Sequence, residues 1–330
     1  MADKFRYGGQ AVIDGVMMRG AKTLATVVRR SDGTLVKDVK KLATIYTGVW
    51  RRIPFVRGVI AMLEAMILGM QAIMFSSNVA LAEINKTDDN SKQKEGSSIG
   101  GLTVWLMLLL SLGLAIGLFS ILPLFLSKLI LPNQQGSLVF NLVEGCLRLI
   151  IFLAYLWGVN FMPDIHRVFS YHGAEHKTIH AYEAGDELIP ANVQKYTTAH
   201  ARCGTAFLLA VMFIAILLFS LVGSQTLWLL VASRILLMPV IAGIAFEITQ
   251  FGARHLDNVI LRWFAAPGLW LQKLTTRQPD DSMVEVAIAA LKEVLIADGI
   301  LPPDAEPIKI DEISLSLQRE QQFVMIDPQG

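Results

Sequence analysis

Apolar residues in this chain gather in long runs, and the runs predict helices of membrane-spanning length. A span needs about 20 mostly apolar residues, and the segments 99–126, 138–162, 203–223 and 226–248 all meet that requirement. The first carries no charge from Leu102 to Ser127. A fifth run, 59–82, is interrupted by Glu64, Gln71, Ser76, Ser77 and Asn78. By apolarity alone it could span, dip in and return, or lie in the interface.

The stretches between these runs follow other patterns. Within an N-terminal region 1–58, ATVVRRSDGTLVKDV alternates like paired strands around Asp32-Gly33, which predicts a β-hairpin. The preceding GGQAVIDGVMMRG mixes glycines with apolar residues, a sign of backbone packed closely against a neighbour. Residues 83–98 form a polar linker with little reason to order. The polar loop 163–202 holds a helix punctuated by Ser170 as N-cap and Gly185 as stop. In the C-terminal region 249–330, Ala266-Pro267-Gly268 breaks the chain. Asp281 to Ala297 then reads as an amphipathic helix with Val284, Ala287, Ile288, Leu291 and Leu295 on one side. Pro302 and Pro303 end that region before a weakly structured tail, and no solenoid repeat is visible.

Composition and charge turn this pattern into a topology. Hydrophobic residues make up 53% of the chain and charged residues 17%, with mean hydropathy +0.50, so an integral membrane protein with the lipid bilayer as partner is expected. A net charge of +1 and the lack of a basic patch with interleaved aromatics exclude nucleic-acid binding. Cys146 and Cys203 give no disulfide framework, and the polar start MADKFRYGGQ predicts no signal peptide. Lys and Arg collect before Val59 (Arg29, Arg30, Lys40, Lys41, Arg51, Arg52, Arg57), in 163–202 and after the last run. With four spans, the loops on the external side hold only Lys128 and the short turn at 223–225. Positive loops stay inside, which selects four spans, both termini cytoplasmic, and 59–82 as a re-entrant or interfacial helix. The expected fold is therefore mainly α: a polytopic membrane protein with about four transmembrane helices, one re-entrant or interfacial helix and a small N-terminal β-hairpin region.

The chemistry lies in Ser170 to Gly185, SYHGAEHKTIHAYEAG. On a helix, His172, His176, His180 and Glu183 form one stripe, a ligand set suited to a divalent metal such as zinc. His172 to His176 spells HxxEH, the inverted zinc-protease motif. In that chemistry the two histidines hold the ion and Glu175 is the catalytic general base toward water. His200 and Cys203 open the third span at the same face, and Glu247 lies at the matching end of the last, so all three are candidate metal ligands. His180 and Glu183 are candidates either for ligands or for groups that orient the others. Peptidases with this motif carry it on a large soluble fold, so the motif names a metal hydrolase more readily than a peptidase. Against a merely solvated polar stripe stands the clustering of five of the six histidines between His166 and His200. Elsewhere, Glu144 and Arg148 predict an interhelical ion-pair lock, with Arg234 at comparable depth, and Gly113 and Gly117 a packing site. No span has the broken polar midplane of a transporter. The alternative to an enzyme is a membrane scaffold or assembly factor whose polar cluster is structural.

GGQAVIDGVMMRG, YHGAEHKTI, HARCGTAF and LTTRQPDDSMVEVAIAAL, in this order, resemble the YqhQ family of bacterial membrane proteins from about Tyr7 to Leu295. That family is a domain of unknown function described as a predicted metal-dependent enzyme. The resemblance implies a bacterial inner-membrane protein with functional interest at Gln10, Asp14, Arg19, His172, Glu175, His176, His200, Arg202 and Cys203. It has glutamate where this chain has Asp14 and proline at Ala201, and it does not fix His180, which moves the expected ligand set toward His172 and His176.

Overall fold

The computed structural model describes residues 7–87, 101–134, 137–200, 203–222, 227–255, 258–302 and 310–312. Arg202, most of the expected linker and most of the C-terminal tail lie outside these. The N-terminal region is a meander of β1 (Gly8–Val12), β2 (Gly15–Arg19), β3 (Thr23–Arg29) and β4 (Leu35–Lys41), each pair antiparallel. The hairpin expected at Asp32-Gly33 joins β3 to β4. Gly33 takes φ +87, and Asp32 Oδ1 accepts the Thr34 amide at 2.8 Å. GGQAVIDGVMMRG is the β1–β2 hairpin, whose glycines had hidden its strand character. At Gly9 a Cβ would lie 2.2 Å from the Met17 carbonyl oxygen, so only glycine lets the strands close there.

The helical part follows in chain order: α1 (Thr44–Thr47), a 3-10 turn (Val49–Arg52), and α2 (Val56–Thr87). Next come α3 (Gly101–Ile116), a π turn (Gly117–Ile121), α4 (Leu122–Ile130) and α5 (Leu138–Val159). They are followed by α6 (Pro163–Ala184), α7 (Pro190–Val193), α8 (Gly204–Leu221) and α9 (Leu227–Arg254). The last two are α10 (Val259–Thr275) and α11 (Asp281–Ala297). In the tail, β5 (Ile310–Glu312) adds a parallel strand beside β4, more order than the tail's composition predicts. Among the described residues, five helices are long and apolar enough to cross a membrane: Val56–Ala82, Leu109–Ile130, Leu138–Val159, Gly204–Leu221 and Leu236–Ala253.

One expectation is narrowed and three need correction. The run 59–82 is part of one unbroken helix of 32 residues, so it does not re-enter by reversing direction. One face of α2 packs on the sheet, where Leu68, Ala72 and Val79 join Val12, Met17, Leu24 and Val28. The opposite face leaves Met66, Met70, Met74 and Leu81 exposed. The histidine helix begins at Pro163, so Ser170 is internal and its hydroxyl donates to the His166 carbonyl at 3.1 Å. Proline fits the first turn of a helix because its missing donor is an unpaired one anyway. Gly185 does end that helix, with φ 82. Pro267 does not break the chain but sits inside α10. There Gly268 lets α10 approach α8 so closely that a Cβ would meet Ala206 Cβ at 2.8 Å. Finally, Gly113 and Gly117 touch no described neighbour within 4 Å of a would-be Cβ.

Helix α11 keeps the bounds its periodicity predicts. Asp280 caps it, accepting from the Met283 amide at 2.9 Å. It is buried on more than its expected face, because it is sandwiched between β2–β3 and α6. The shared core of sheet, α6 and α11 includes Val16, Met18, Val27, Tyr171, Ile179 and Leu291. The polar loop of the sequence is thus a packed layer at the ends of the apolar helices. In the apolar layer, Glu144 and Arg148 form an ion pair within α5 rather than the expected interhelical one, and the contact to another helical segment is made by Arg148 Nε, which donates to the Phe119 carbonyl at 2.8 Å. A π turn leaves carbonyls without their usual partners, and the guanidinium supplies one where water is scarce.

The close approach at Gly173 gives a direct check on this packing. A Cβ there would lie 2.0 Å from the Arg277 carbonyl oxygen, backbone that cannot turn aside. Gly173→Ala should lower stability by about 1–3 kcal/mol, whereas Gly113→Ala should be neutral or stabilise by up to about 1 kcal/mol. Melting curves of the two variants in the same detergent compare them.

Candidate metal centre

Helix α6 presents His172 and His176 one turn apart, and backbone carbonyls from two other segments fix both rings. His172 Nδ1 donates to the Thr275 carbonyl at 2.8 Å, at the end of α10. His176 Nδ1 donates to the Thr198 carbonyl at 2.5 Å, in the segment leading to α8. With each Nδ1 used this way, Nε2 is the atom each ring offers to a metal. His172 Nε2 lies 3.2 Å from Cys203 Sγ. The His172, His176 and Cys203 ligand atoms all lie within 4.8 Å of one another. Bonds of about 2.0–2.3 Å around a tetrahedral ion need ligand atoms about 3.3–3.8 Å apart, so side-chain adjustments of about 1 Å close the group.

Cys203 owes its place to two neighbours. It is the N-cap of α8, with its sulfur accepting from the Thr205 amide. The residues before it are clamped to α6 and α10. The Ala199 carbonyl accepts from His180 Nε2 at 2.8 Å. The His200 amide donates to Gln272 Oε1 at 2.7 Å, and Gln272 Nε2 donates back to the His200 carbonyl at 2.8 Å. Gln272 is fully buried, so this reciprocal pair is what satisfies it.

Glu175 stands beside the group, nearly fully buried, and its Oε1 accepts the Gly9 amide at 2.8 Å. Burial pushes its carboxyl above the usual range, opposed by His172, the Gly9 amide and His200. His176 is driven well down by burial and then by neighbouring His172, which keeps it neutral. Burial also pulls on His172, but the hydrogen bond and charge of the Cys203 side chain, with Glu175 and the Thr275 carbonyl, outweigh it and hold the ring at about 9. A metal ion bound to both atoms would take the place of the hydrogen bond between His172 Nε2 and the Cys203 sulfur. Burial lowers His200, with Glu175 opposing.

These residues line one wall of a cavity of about 900 Å³, within the range of small-molecule sites. Gln10, Arg19, Arg51, Arg57 and Glu64 line other parts of it. Glu64 binds Arg19 at 3.0 Å and Arg51 at 2.6 Å. Of the other sequence candidates, His200 Nε2 lies 3.5 Å from Glu183 rather than within the ligand group. His180 stacks on Tyr196 and packs against His200. Asp14, with φ 51 in the β1–β2 turn, pairs with Arg167 away from the cavity lining. Glu247 is not brought to the group. Arg57 takes both its oxygens, at 2.8 and 2.5 Å, and the Phe55 amide donates to it at 3.1 Å. Depth in the membrane allowed Glu247 to reach the centre, and a nearer cation claimed it. Residues not anticipated are Gly9, Thr198, Gln272 and Thr275. Three of these act through backbone groups, which have no side-chain signature.

Comparison with known proteins adds a family. A family model described as "Protein of unknown function (DUF1385)" matches residues 53–297. The "Uncharacterized protein YqhQ" of Bacillus subtilis (strain 168) is 35% identical over 308 residues, covering 91% of this chain and 96% of that protein. No solved structure matches the chain.

The Gln272 clamp is testable apart from any metal. Gln272→Ala leaves the buried His200 amide and carbonyl unpaired and should cost about 1–3 kcal/mol for each group left bare. Thermal melting with zinc chelated measures it, and a melting point equal to wild type would show the clamp to be idle.

Proposed function

Because the chain belongs to the DUF1385 family, whose description names no activity, we propose its function from the chemistry of the site: a metal-dependent hydrolase working at a membrane face. The convergence of His172, His176 and Cys203 beside Glu175, at the wall of one cavity, carries this reading. Two imidazoles locked by backbone carbonyls and one sulfur are a donor set that fits zinc, with room for a fourth ligand from outside the protein. Such an ion would supply Lewis-acid polarisation and a more acidic water.

The chain's own groups do the rest. Glu175 takes the proton from water. Its burial favours holding that proton, and Gly9 occupies one oxygen while the other is left for it. The water oxygen bonds to the electrophilic atom of the substrate, the bond to the leaving oxygen or nitrogen breaks, and Glu175 returns its proton there. The second water proton stays on the new hydroxyl, so no further reactant is required. Arg19, Arg51 and Arg57, held in place by Glu64 and Glu247, add N–H donors to the cavity wall that suit developing negative charge.

In this proposal α3–α4, α5, α8 and α9 span a bacterial inner membrane, and the sheet, α6 and α11 lie in the cytoplasm with both termini. Helix α2 lies in the interface. Its packing against the sheet on one face and its bare methionine and leucine face on the other support that placement. The exposed Trp263 and Trp270 of α10 suit the same level of the bilayer.

The scaffold reading has its own support. Glu175 to Gly9, Arg19 to Glu64 and Asp14 to Arg167 all tie the sheet to helices. Metal content separates the two readings. The purified chain should hold stoichiometric zinc. His172→Ala and Cys203→Ala should bind it at least about 10-fold more weakly, and Glu175→Gln should retain it. A chain that binds no zinc, with these variants merely less stable, favours the scaffold.

A further inference from the structure

The cavity at the metal group borders a second, narrower space of about 170 Å³. The two share Ala61, Ala65, Cys203, Gly204, Phe246 and Gln250 as a common boundary, so they adjoin at Cys203. The narrow part is bounded by α2, α8 and α9, through Met62, Phe207, Thr249 and Ala253. Its lining is apolar, and the Thr249 hydroxyl is already satisfied by the Ala245 and Phe246 carbonyls at 2.9 and 3.0 Å. Nothing in that lining asks for a polar occupant except Gln250, which stands at the junction with the larger space.

All three walls belong to helices long and apolar enough to cross a membrane, Val56–Ala82 within α2, Gly204–Leu221 and Leu236–Ala253. Of these, α2 also leaves its far face exposed and apolar. The groove therefore runs from apolar helices to the ligand group. It is too small for a helix, which is about 10 Å across. The polar end holds Arg19, Arg51 and Arg57, so polarity rises steadily from groove to cavity.

We propose that the substrate is an amphiphile whose hydrocarbon chain lies in the groove between α2, α8 and α9, so that the bond next to its head group reaches His172, Glu175, His176 and Cys203. This rests on the hydrolase reading above and gives it a substrate class: a lipid or lipid-anchored molecule with a hydrolysable ester or amide close to the head. The chain is held by burial alone, while the polar cavity wall of Arg19, Arg51, Arg57 and Glu64 receives the head.

The probes are alkyl hydroxamates, whose heads chelate zinc and whose tails grow from two to ten carbons. Their binding is measured below their micelle concentrations to the zinc-loaded full chain in nanodiscs, beside Ala253→Trp and Met62→Trp, which fill the groove without touching the ligand group. Acetohydroxamate should bind wild type and both variants equally. With the probe taken up by empty nanodiscs subtracted, each added methylene should tighten binding to wild type about threefold until the groove is full, close to the value for a fully buried methylene, and in the variants this dependence should flatten. Chain dependence no steeper in wild type than in both variants, with acetohydroxamate still bound, overturns the groove and leaves the metal centre standing. Failure of acetohydroxamate to bind the zinc-treated chain overturns the hydrolase reading, and the substrate class with it.

Discussion

The hydrogen bonds from His172 to the Thr275 carbonyl and from His176 to the Thr198 carbonyl are what the rest of this structure serves. A buried imidazole or carboxylate without a partner is costly, so the polar face of α6 can enter a core only where other segments bring hydrogen-bond partners to it. Three segments do so from different parts of the chain. The end of α10 supplies Thr275, the approach to α8 supplies Thr198 and Ala199, and β1 supplies the Gly9 amide to Glu175. Each contact orients a site residue and also docks an element. The centre and the fold are therefore hard to perturb separately.

That constraint explains the glycines and the glutamine that look unremarkable in the sequence. Gly173 lets the backbone at Arg277 pass close enough to α6 for Thr275 to reach His172. Gly9 lets β1 and β2 close beneath Glu175. Gln272 fastens the backbone at His200, and so positions Cys203 at the start of α8. The apolar helices begin or end at this layer, so a site built from their termini lies where apolar and polar surroundings meet.

How much of this was legible follows from what each feature leaves in the sequence. The apolar runs, the Asp32-Gly33 hairpin, the Gly185 stop and the whole of α11 declared themselves, because burial period and turn chemistry are written in side chains. The HxxEH pair and Cys203 were readable for the same reason. The start of α6 was misplaced because Ser170 resembles a cap, while Pro163 marks the start only once the end of α5 is known. Helix α10 was missed because Pro267 usually ends a helix, and here it removes a single donor from one. The tail strand β5 depends on a partner in β4 far away in sequence. Glu247 was assigned to the centre by depth, and only geometry shows that Arg57 holds it. Carbonyl acceptors cannot be read at all, since every residue has one.

The most direct measurement of the central claim is X-ray absorption at the zinc edge on the zinc-loaded full chain. The ion should show one sulfur at about 2.3 Å and two imidazole nitrogens at about 2.0 Å, and Cys203→Ser should remove the sulfur. A shell of oxygen and nitrogen alone in the wild type, unchanged by Cys203→Ser, would contradict that claim.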